Sequence, residues 1–199
     1  GAARPAGRRR LGAQFTRKDL GCKAGRTSHY PQGPAFRDAG DELGLLVFTE
    51  MPGWQHIGDE AWKAQALQNC REMVCQCRNH PSVFLWGARV NGSPDDEAFY
   101  KRTNEAIHRL DPTRPTAGAH IRRREQLLED VYAYNDYSYR GRGPACEARA
   151  SVTPDTPKGY LISEFGGQNL PAQPFDDAAH PLVPAPHFAA AHTPSLAQQ

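Results

Sequence analysis

Short apolar runs of strand length alternate along this chain with segments that have the length and polarity of helices. Six runs are expected to be β-strands, and they lie at residues 22–28, 45–50, 82–87, 116–119, 130–135 and 159–164. Most of them are apolar nearly throughout, which is typical of strands that are covered on both faces. Because strands that alternate with helices form right-handed βαβ units, the pattern predicts an α/β fold with a parallel sheet.

The helical segments carry start and stop signals. Helices are expected at residues 34–43, 59–78, 95–110 and 122–128. Gly44 suits the end of the first helix, and Asp59 is a candidate N-cap for the second. Ser93 is a candidate cap for the third helix, with Pro94 in its first turn. A closed (β/α)8 TIM barrel has eight strands and about 250 residues, so we expect an incomplete barrel with about six of the eight strands.

Composition divides the chain into three segments. Residues 1–14 are rich in Gly, Ala and Arg without a period, so a disordered basic segment is predicted there. The barrel domain is placed at residues 15–170. Residues 171–199 form a tail rich in Pro, Ala and His, which is predicted to be loosely attached. Its three histidines are interpreted as part of that tail rather than as a metal site, and they are His180, His187 and His192.

Charge and apolar content argue against nucleic-acid and membrane partners. The net charge of +2 is too small to indicate nucleic-acid binding. The Arg8-Arg9-Arg10 run is interpreted as a solvated tail rather than as a nuclear or anionic-surface signal. No apolar stretch approaches the roughly 18 residues of a membrane span, and the N-terminus lacks the apolar stretch of a secretory signal.

The five cysteines have irregular spacing, which does not predict a disulfide framework. Cys70, Cys75 and Cys77 are clustered, but the paired C-x2-C spacing of a zinc site is missing. Cys75 and Cys77 are two residues apart on a predicted helix and so do not share a face. We expect reduced thiols rather than metal ligands, and reduced thiols favour a cytoplasmic protein.

Polar and aromatic residues follow the predicted strands at their carboxyl ends, where parallel barrels hold their functional groups. The set comprises His29, Tyr30, Glu50, Asn91, Tyr137 and Glu164, with Trp54 and His56 in the loop after Glu50. Loop capping would explain any one of these residues but not the whole set. Polar groups beside aromatic platforms suit a carbohydrate, because a sugar ring has apolar faces and hydroxyl edges.

Glu164 has the clearest chemical use of this set. It ends the 159–164 run, so a buried strand presents a single carboxylate at its tip. Retaining glycosidases need two carboxylates, one as nucleophile and one as an acid that later acts as a base. After the 82–87 strand the sequence reads Asn91-Gly92, where a second carboxylate would be useful. This pattern is typical of a sugar-cleaving site that lacks one of its two carboxylates.

Four linked motifs extend this likeness over about residues 15–168. They read Arg26-Thr27-Ser28-His29-Tyr30-Pro31, Asp41-Glu42-Leu43-Gly44-Leu45-Leu46-Val47, Arg78-Asn79-His80-Pro81-Ser82-Val83 and Leu161-Ile162-Ser163-Glu164. In this order and spacing they resemble the barrel domain of glycoside hydrolase family 2, which includes β-galactosidases and β-glucuronidases. The resemblance also implies β-sandwich domains before the barrel, so domains or a partner chain that complete the molecule are expected.

The resemblance implies a role for each candidate residue. Glu164 matches the nucleophile, and Asn91 matches the asparagine that binds the sugar 2-hydroxyl. His29 matches a histidine that lines the sugar site. Glu50 matches an acidic residue that binds a hydroxyl or holds an arginine, and Tyr137 matches a tyrosine that contacts the nucleophile. Trp54 is added as a sugar-binding aromatic. The alternative for Glu164 is a buried carboxylate that pairs with an arginine.

Gly92 departs from the family pattern, which places the acid/base glutamate directly after the asparagine. Asp95, Asp96 and Glu97 are nearby substitutes, but they begin the next helix about a turn away. The predicted function is therefore retaining hydrolysis of terminal β-glycosides, β-galactosidase-like and impaired. The alternative is a non-catalytic carbohydrate-binding or remnant barrel. Some relatives use Mg²⁺, but the sequence offers no convincing cluster of oxygen ligands, so no cofactor is expected.

Overall fold

The structure is a computed structural model that describes residues 6–138, 146–153 and 157–165. Its strands form one parallel sheet in chain order. They are β1 (Ala24–Thr27), β2 (Leu46–Glu50), β3 (Val83–Gly87), β4 (Thr116–His120), β5 (Val131–Asp136) and β6 (Gly159–Phe165). Each strand pairs with the next along the chain, which is the order of a (β/α)8 barrel. The prediction of an α/β fold with an incomplete TIM barrel of six strands is confirmed.

Helices cover the outer face of this sheet. They are α1 (Ala6–Gln14), α2 (Pro34–Leu43), α3 (Glu60–Cys77), α4 (Glu97–Leu110) and the short α5 (Arg149–Val152), with a π-helix at Phe15–Asp19. Gly44 ends α2 with a φ of 65°, a left-handed conformation that glycine adopts without steric cost. The Asp59 carboxylate accepts a hydrogen bond from the Trp62 amide at 2.9 Å, so the predicted N-cap of α3 is confirmed.

The predicted cap of α4 is wrong. Asp96, not Ser93, is the N-cap, and its side chain accepts a hydrogen bond from the Phe99 amide at 3.0 Å. Ser93 instead forms a short hydrogen bond with the Tyr100 hydroxyl in the interior. A carboxylate at this position also interacts favourably with the positive end of the helix dipole, whereas a serine side chain has no charge to do so.

Two further expectations differ from the structure. Residues 6–14 form α1 rather than a disordered segment, because Ala13 is buried against α2 and Arg10 pairs with Glu42. Residues 122–128 do not form a helix. The Glu125 carboxylate accepts hydrogen bonds from the amides of Ile121 and Arg122, both at 3.2 Å, and this local bonding competes with helical bonding. Residues 1–5 and the predicted 171–199 tail, with its three histidines, lie outside the described residues.

Apolar side chains fill both faces of the sheet. Val47, Met73, Val74 and Trp86 belong to a cluster between the strands and the helices α3 and α4. Inside the barrel a second cluster holds Phe48, Leu85, Ala117 and Ala133. The alternation of Val47 with Phe48 along β2 thus places one side chain on each face, which is why the strands read as continuous apolar runs.

The described cysteines carry no disulfide, and Cys70 and Cys77 are buried while Cys75 is exposed. The different environments of Cys75 and Cys77 agree with the prediction that they do not share a face of the helix. Burial raises the pKa of the Cys70 thiol to about 12. Among the described helices, none combines the length and the apolar character that a membrane crossing requires.

A buried ionic cluster lies outside the barrel, between β4 and the segments that follow β3 and β4. Arg89 has a fully buried side chain and donates from Nε to Glu129 Oε1 at 3.0 Å and from Nη1 to Asp95 Oδ1 at 2.7 Å. His120 stacks on Tyr132, with 4.2 Å between ring centroids. A Cβ atom on Gly118 would lie 2.5 Å from Glu129 Oε1, so only glycine leaves room for this cluster.

The stability of the protein should depend on the ionisation of Glu129. Burial alone would raise its pKa, but the nearby His120 ring, 3.7 Å away, and the charge of Arg89 outweigh burial and lower it from 4.5 to about 2. The carboxylate therefore stabilises the fold above about pH 4.5, and this contribution, about 3 kcal/mol, is lost as the pH falls toward 2. Urea denaturation of the protein and of Glu129→Gln across this range measures it. If the free energy of unfolding of the parent and of Glu129→Gln changed with pH in the same way, Glu129 would not be the group that causes the pH dependence.

Candidate active site

Arg26 is the centre of a polar cluster at the carboxyl ends of the strands. Its guanidinium, carried by β1, forms a short ion pair with Glu164 on β6. Its Nη2 donates to Glu50 Oε2 at the end of β2 and to Asn91 Oδ1 in the loop after β3, both at 2.8 Å. Burial would lower the pKa of Arg26, but Glu50 and Glu164 together raise it. A fixed positive charge thus joins the two outermost strands of the described sheet.

Glu164 reaches the cluster because β6 changes register. Its pairing with β5 shifts between Tyr134 and Asn135, so that Asn135 lies opposite Glu164. One carboxylate oxygen of Glu164 contacts Arg26, and the other accepts a short hydrogen bond from the Tyr137 hydroxyl. Burial raises the pKa of Tyr137, and the hydrogen bond and charge of Glu164 raise it further. Tyr137 therefore stays protonated and acts as a donor.

A hydrogen-bond relay holds Asn91. Ser163 Oγ donates to Asn135 Oδ1 at 2.8 Å, and Asn135 Nδ2 donates to Asn91 Oδ1 at 2.9 Å. Because its oxygen accepts from both Asn135 and Arg26, the amide nitrogen of Asn91 is directed the other way. It lies 3.5 Å from His29 Nε2. This nitrogen is the group of Asn91 that remains suited to donate to a hydroxyl.

His29 and Glu50 complete the inner part of the cluster. His29 Nδ1 lies 3.6 Å from Glu50 Oε2, and its Nε2 lies 4.0 Å from Glu164 Oε1. The side chain of Glu50 is only 1% exposed, so it needs the charge of Arg26. A Cβ atom on Gly87 would lie 2.7 Å from the Glu50 Cα, which makes glycine necessary at the end of β3.

Trp54 and Gly92 lie at the rim, next to Asn91. Trp54 forms an isolated parallel bridge with Asn91, and the Gln55 amide donates to the Asn91 carbonyl at 2.8 Å. Gly92 has a φ of +63°, a left-handed conformation, and its amide donates to the Ala119 carbonyl at 3.0 Å. The backbone of Asn91 is thereby fixed from two sides.

The three acidic residues after Gly92 are engaged elsewhere. Asp95 accepts from Arg89 and from the Gln126 amide, at 2.7 and 3.0 Å. Asp96 caps α4 and pairs with Lys63, whose hydrogen bond lowers the Asp96 pKa. Glu97 pairs with Lys101, which lowers its pKa as well. A general acid needs a raised pKa, so these contacts do not suit a substitute acid.

The candidate residues therefore fall into three groups. His29, Glu50, Asn91, Tyr137 and Glu164 come together around Arg26, while Trp54 and Gly92 stand beside Asn91, and Tyr30 and His56 are exposed. Two contributors were not singled out from the sequence, Arg26 and Asn135. Arg26 stands within the first of the quoted motifs, and a buried pair of carboxylates requires a cation, which was the available signal. The arginine pairing considered for Glu164 is present, and it coexists with the cluster.

The described residues do not fit a Mg²⁺ site at this position. Mg²⁺ requires several oxygen ligands in octahedral geometry. Within residues 6–138, 146–153 and 157–165, no three His, Cys, Asp or Glu side chains are close enough to hold a metal ion. Both oxygens of Glu50 are bound to Arg26, and those of Glu164 are bound to Arg26 and Tyr137.

Removal of Arg26 should destabilise the protein. Arg26→Met leaves Glu50 buried without a cation, which typically costs roughly 3–5 kcal/mol. Thermal denaturation should show a large fall in Tm, and adding Glu50→Gln to Arg26→Met should recover part of it. Arg10→Met, which breaks the exposed pair with Glu42, is the control and should leave Tm nearly unchanged. A similar Tm for Arg26→Met and Arg10→Met would disprove a stabilising role for Arg26.

The fold and the cluster define an incomplete (β/α)8 barrel with carboxylates at the carboxyl ends of its strands, the face where such barrels hold their active sites. The chain belongs to glycosyl hydrolase family 2: residues 14–172 match the family described as "Glycosyl hydrolases family 2, TIM barrel domain". The expectation drawn from the four motifs is thus confirmed.

Individual relatives agree with this membership. A β-galactosidase of Thermoanaerobacter pseudethanolicus is 45% identical over 177 residues, covering 89% of this chain and 23% of that protein. A β-galactosidase of Rhizobium meliloti is 34% identical, covering 79% of this chain and 22% of the relative. The chain thus spans about 23% of the length of the first of these relatives.

A solved structure extends the comparison to three dimensions. The family 2 β-galacturonidase from Eisenbergiella tayi, bound to galacturonate, matches with a TM-score of 0.68 and 27% identity. The match covers 90% of this chain and 35% of that one.

Proposed function

We propose that this chain carries the nucleophile half of a retaining glycosidase site for terminal β-glycosides, with general acid/base catalysis lost. One observation carries the proposal: Glu164 presents its carboxylate at a strand end, held by Tyr137 and by Arg26, which also binds Asn91. The names of the relatives, β-galactosidases among them, support this class of reaction.

The reaction begins when a Glu164 oxygen attacks the anomeric carbon of the bound sugar. The bond to the leaving group breaks, and a glycosyl ester of Glu164 forms. Arg26 and Tyr137 orient the attacking carboxylate, and the amide nitrogen of Asn91 donates to the neighbouring sugar hydroxyl. His29 lines the same space and binds a further hydroxyl, while the buried Glu50 holds Arg26 in place. Trp54 offers an apolar face to the sugar ring at the rim.

Gly92 limits both halves of this reaction. A glycine has no group to protonate the leaving oxygen in the first step or to activate water in the second. General acid/base catalysis typically contributes about 10²–10⁴-fold. A good leaving group needs no protonation, so the first step remains possible for activated glycosides, while hydrolysis of the ester stays slow.

Pre-steady-state kinetics test the proposal. With a dinitrophenyl β-glycoside, the enzyme should release a burst of dinitrophenol equal in amount to the enzyme, and turnover should then stall. Mass spectrometry should find the glycosyl group on Glu164. Dinitrophenyl β-galactoside and β-glucuronide are the first substrates to compare. The absence of a burst with both would contradict the proposal.

The second candidate is a carbohydrate-binding protein without turnover. It is favoured by the fact that both oxygens of Glu164 are engaged, by Arg26 and Tyr137. Calorimetry with a simple galactoside, run beside the activity assay, separates the two: binding without a burst supports this candidate.

A further inference from the structure

His120 is a fully buried histidine whose ring lies between two carboxylates. Its Nδ1 is 3.4 Å from Glu125 Oε2, and its Nε2 is 3.7 Å from Glu129 Oε2. The ring stacks on Tyr132, with 8° between the two ring planes, and this contact fixes its orientation. Among the described residues, neither ring nitrogen has a hydrogen-bond partner. The two carboxylates are therefore the groups that decide which protonation state of the ring is stable.

A neutral imidazole does not suit this position. One nitrogen of a neutral ring carries a hydrogen and the other carries a lone pair. One of the two carboxylates would then face a lone pair in the interior of the protein. An imidazolium carries a hydrogen on both nitrogens, so it presents a positive edge to each carboxylate. The geometry therefore favours the protonated form of His120.

The buried charges balance only when His120 is protonated. The side chains of Arg89, Glu129 and Glu125 are 0%, 1% and 6% exposed, and they place one positive and two negative charges in the interior. A buried charge without a counter-charge is strongly unfavourable. A proton on His120 supplies the second positive charge, so the interior becomes neutral.

The other titratable groups around the cluster do not change this balance. The remaining charged side chains at its border are exposed and solvated, and they are Asp95, Arg122 and Lys158. The phenols of Tyr100 and Tyr132 stay neutral, because burial raises the pKa of both. The second buried positive charge therefore has to come from the histidine.

Arg89 connects this cluster to the segment that carries Asn91. It lies two residues before Asn91 in the chain, and its Nε donates to Glu129 Oε1 at 3.0 Å. Its Nη2 donates to the Gln126 carbonyl at 3.0 Å, in the loop that follows β4. The position of Glu129 therefore bears on the backbone that carries Asn91.

The strand that carries His120 also holds Gly92 directly. The Gly92 amide donates to the carbonyl of Ala119, the residue before His120, at 3.0 Å. On the other side of His120, the Glu125 carboxylate accepts the amides of residues 121–122, both at 3.2 Å. A displacement of Glu125 would therefore loosen the end of β4 to which Gly92 is bound.

We propose that His120 is a positioning residue for the sugar site, protonated between Glu125 and Glu129, and that its proton holds the backbone of Asn91 and Gly92 in place. This inference rests on the proposed function, because Asn91 is assigned there to a sugar hydroxyl. The proton is taken up from water and returns to water as the pH rises. Its loss leaves two buried carboxylates with one buried cation, so the repulsion between them loosens the hold on Gly92.

Nitrogen NMR of the 199-residue chain with isotope-labelled histidines tests the protonation state. An ordinary histidine titrates near pH 6.5, so a ring that is protonated at about pH 7.5 is diagnostic. Both ring nitrogens of His120 should have imidazolium shifts at this pH, with the signals assigned by their absence in His120→Gln. As the pH rises further, the Gly92 amide shift should follow the His120 ring with the same midpoint. The Val47 amide, which donates to the Ser82 carbonyl, should not follow it.

Kinetics with two donors test the positioning role. His120→Gln should lower the rate constant of the burst from the dinitrophenyl glycoside about tenfold or more. It should change the burst from the corresponding 2-deoxyglycoside much less, because that donor lacks the hydroxyl assigned to Asn91. His108→Gln, which removes a half-exposed histidine paired with Asp130 at 3.0 Å, is the matched control and should leave both rate constants unchanged.

The outcomes separate this inference from the proposed function. A neutral His120 ring at about pH 7.5, or a Gly92 amide that ignores the titration of the ring, would overturn the inference whether or not a burst is seen. Equal losses on both donors from His120→Gln would show a structural role only and would overturn the positioning role. The absence of a burst from the parent chain would overturn the proposed function and with it the role of His120 at a sugar site. If His120→Gln does not fold, the titration of the parent chain decides.

Discussion

Glu164→Gln should abolish the burst of phenol from an activated β-glycoside. The amide has almost the same shape as the carboxylate but cannot form the glycosyl ester, so the covalent route closes. Loss of a nucleophile in covalent mechanisms lowers the rate by about 10⁴-fold or more. Stopped-flow measurement of phenol release, with mass spectrometry of the intact protein, records both the burst and the missing adduct.

Two controls separate chemistry from folding in this experiment. Glu105→Gln changes an exposed carboxylate on α4 that pairs only with Arg109 among the described contacts, so it should keep the burst. A circular dichroism melt of Glu164→Gln should stay cooperative, because Arg26 retains its pair with Glu50. A full burst from Glu164→Gln would show that another residue is the nucleophile and would remove the basis of the proposed function.

Much of the fold could be predicted because both faces of the parallel strands are covered. The run at residues 82–87 reads as a strand for this reason, and four of the five residues of β3 are buried. The strand predicted at residues 159–164 is present and extends to Phe165, but the expectation that it is buried is wrong. Its residues are half-buried or exposed, because β6 is the edge of the described sheet. The helix at residues 34–43 was predicted with the observed bounds, since Gly44 and Pro34 are strong local signals at its two ends. Local chemistry and tertiary packing agree in these segments.

The two segments whose secondary structure was predicted wrongly share a physical cause. In each, contacts distant in sequence or side-chain hydrogen bonds outweigh the local preference of the backbone. Residues 6–14 have no amphipathic period, and they become helical where Ala13 packs against α2. Residues 122–128 have helix-forming side chains, but the Glu125 carboxylate binds backbone amides and Arg124 adopts a φ of 60°. Neither effect can be read from local propensity.

The candidate site could be predicted residue by residue, but not its centre. Strand-end position and the four motifs brought out Glu50, Asn91 and Glu164. Arg26 on β1 contacts Glu164 on β6, 138 positions later in the sequence. Only the curvature of the sheet brings these two strands together. The register shift before Asn135 is also a tertiary feature, and it decides that Glu164 faces the cluster.

Gly92→Glu should restore activity toward glycosides with poor leaving groups. The carboxyl group would follow Asn91, where the family places its acid/base, and the gain expected from general acid/base catalysis is about 10²–10⁴-fold. The backbone opposes this change, because a φ of +63° costs a residue with a side chain about 1–2 kcal/mol. Space does not oppose it, since the nearest atoms would lie 3.6 Å or more from the new Cβ. Kinetics with alkyl and dinitrophenyl glycosides measure the gain.

Gly92→Gln is the matched control for this prediction, because it carries the same backbone strain and nearly the same volume but has no acidic proton to transfer to the leaving group. It should remain as slow as the parent on alkyl glycosides. The gain from Gly92→Glu should be far larger for alkyl than for dinitrophenyl leaving groups, which need no acid. Equal gains on both substrates, or an equal gain from Gly92→Gln, would show that position 92 does not supply the acid, and Glu164 would then need a different partner.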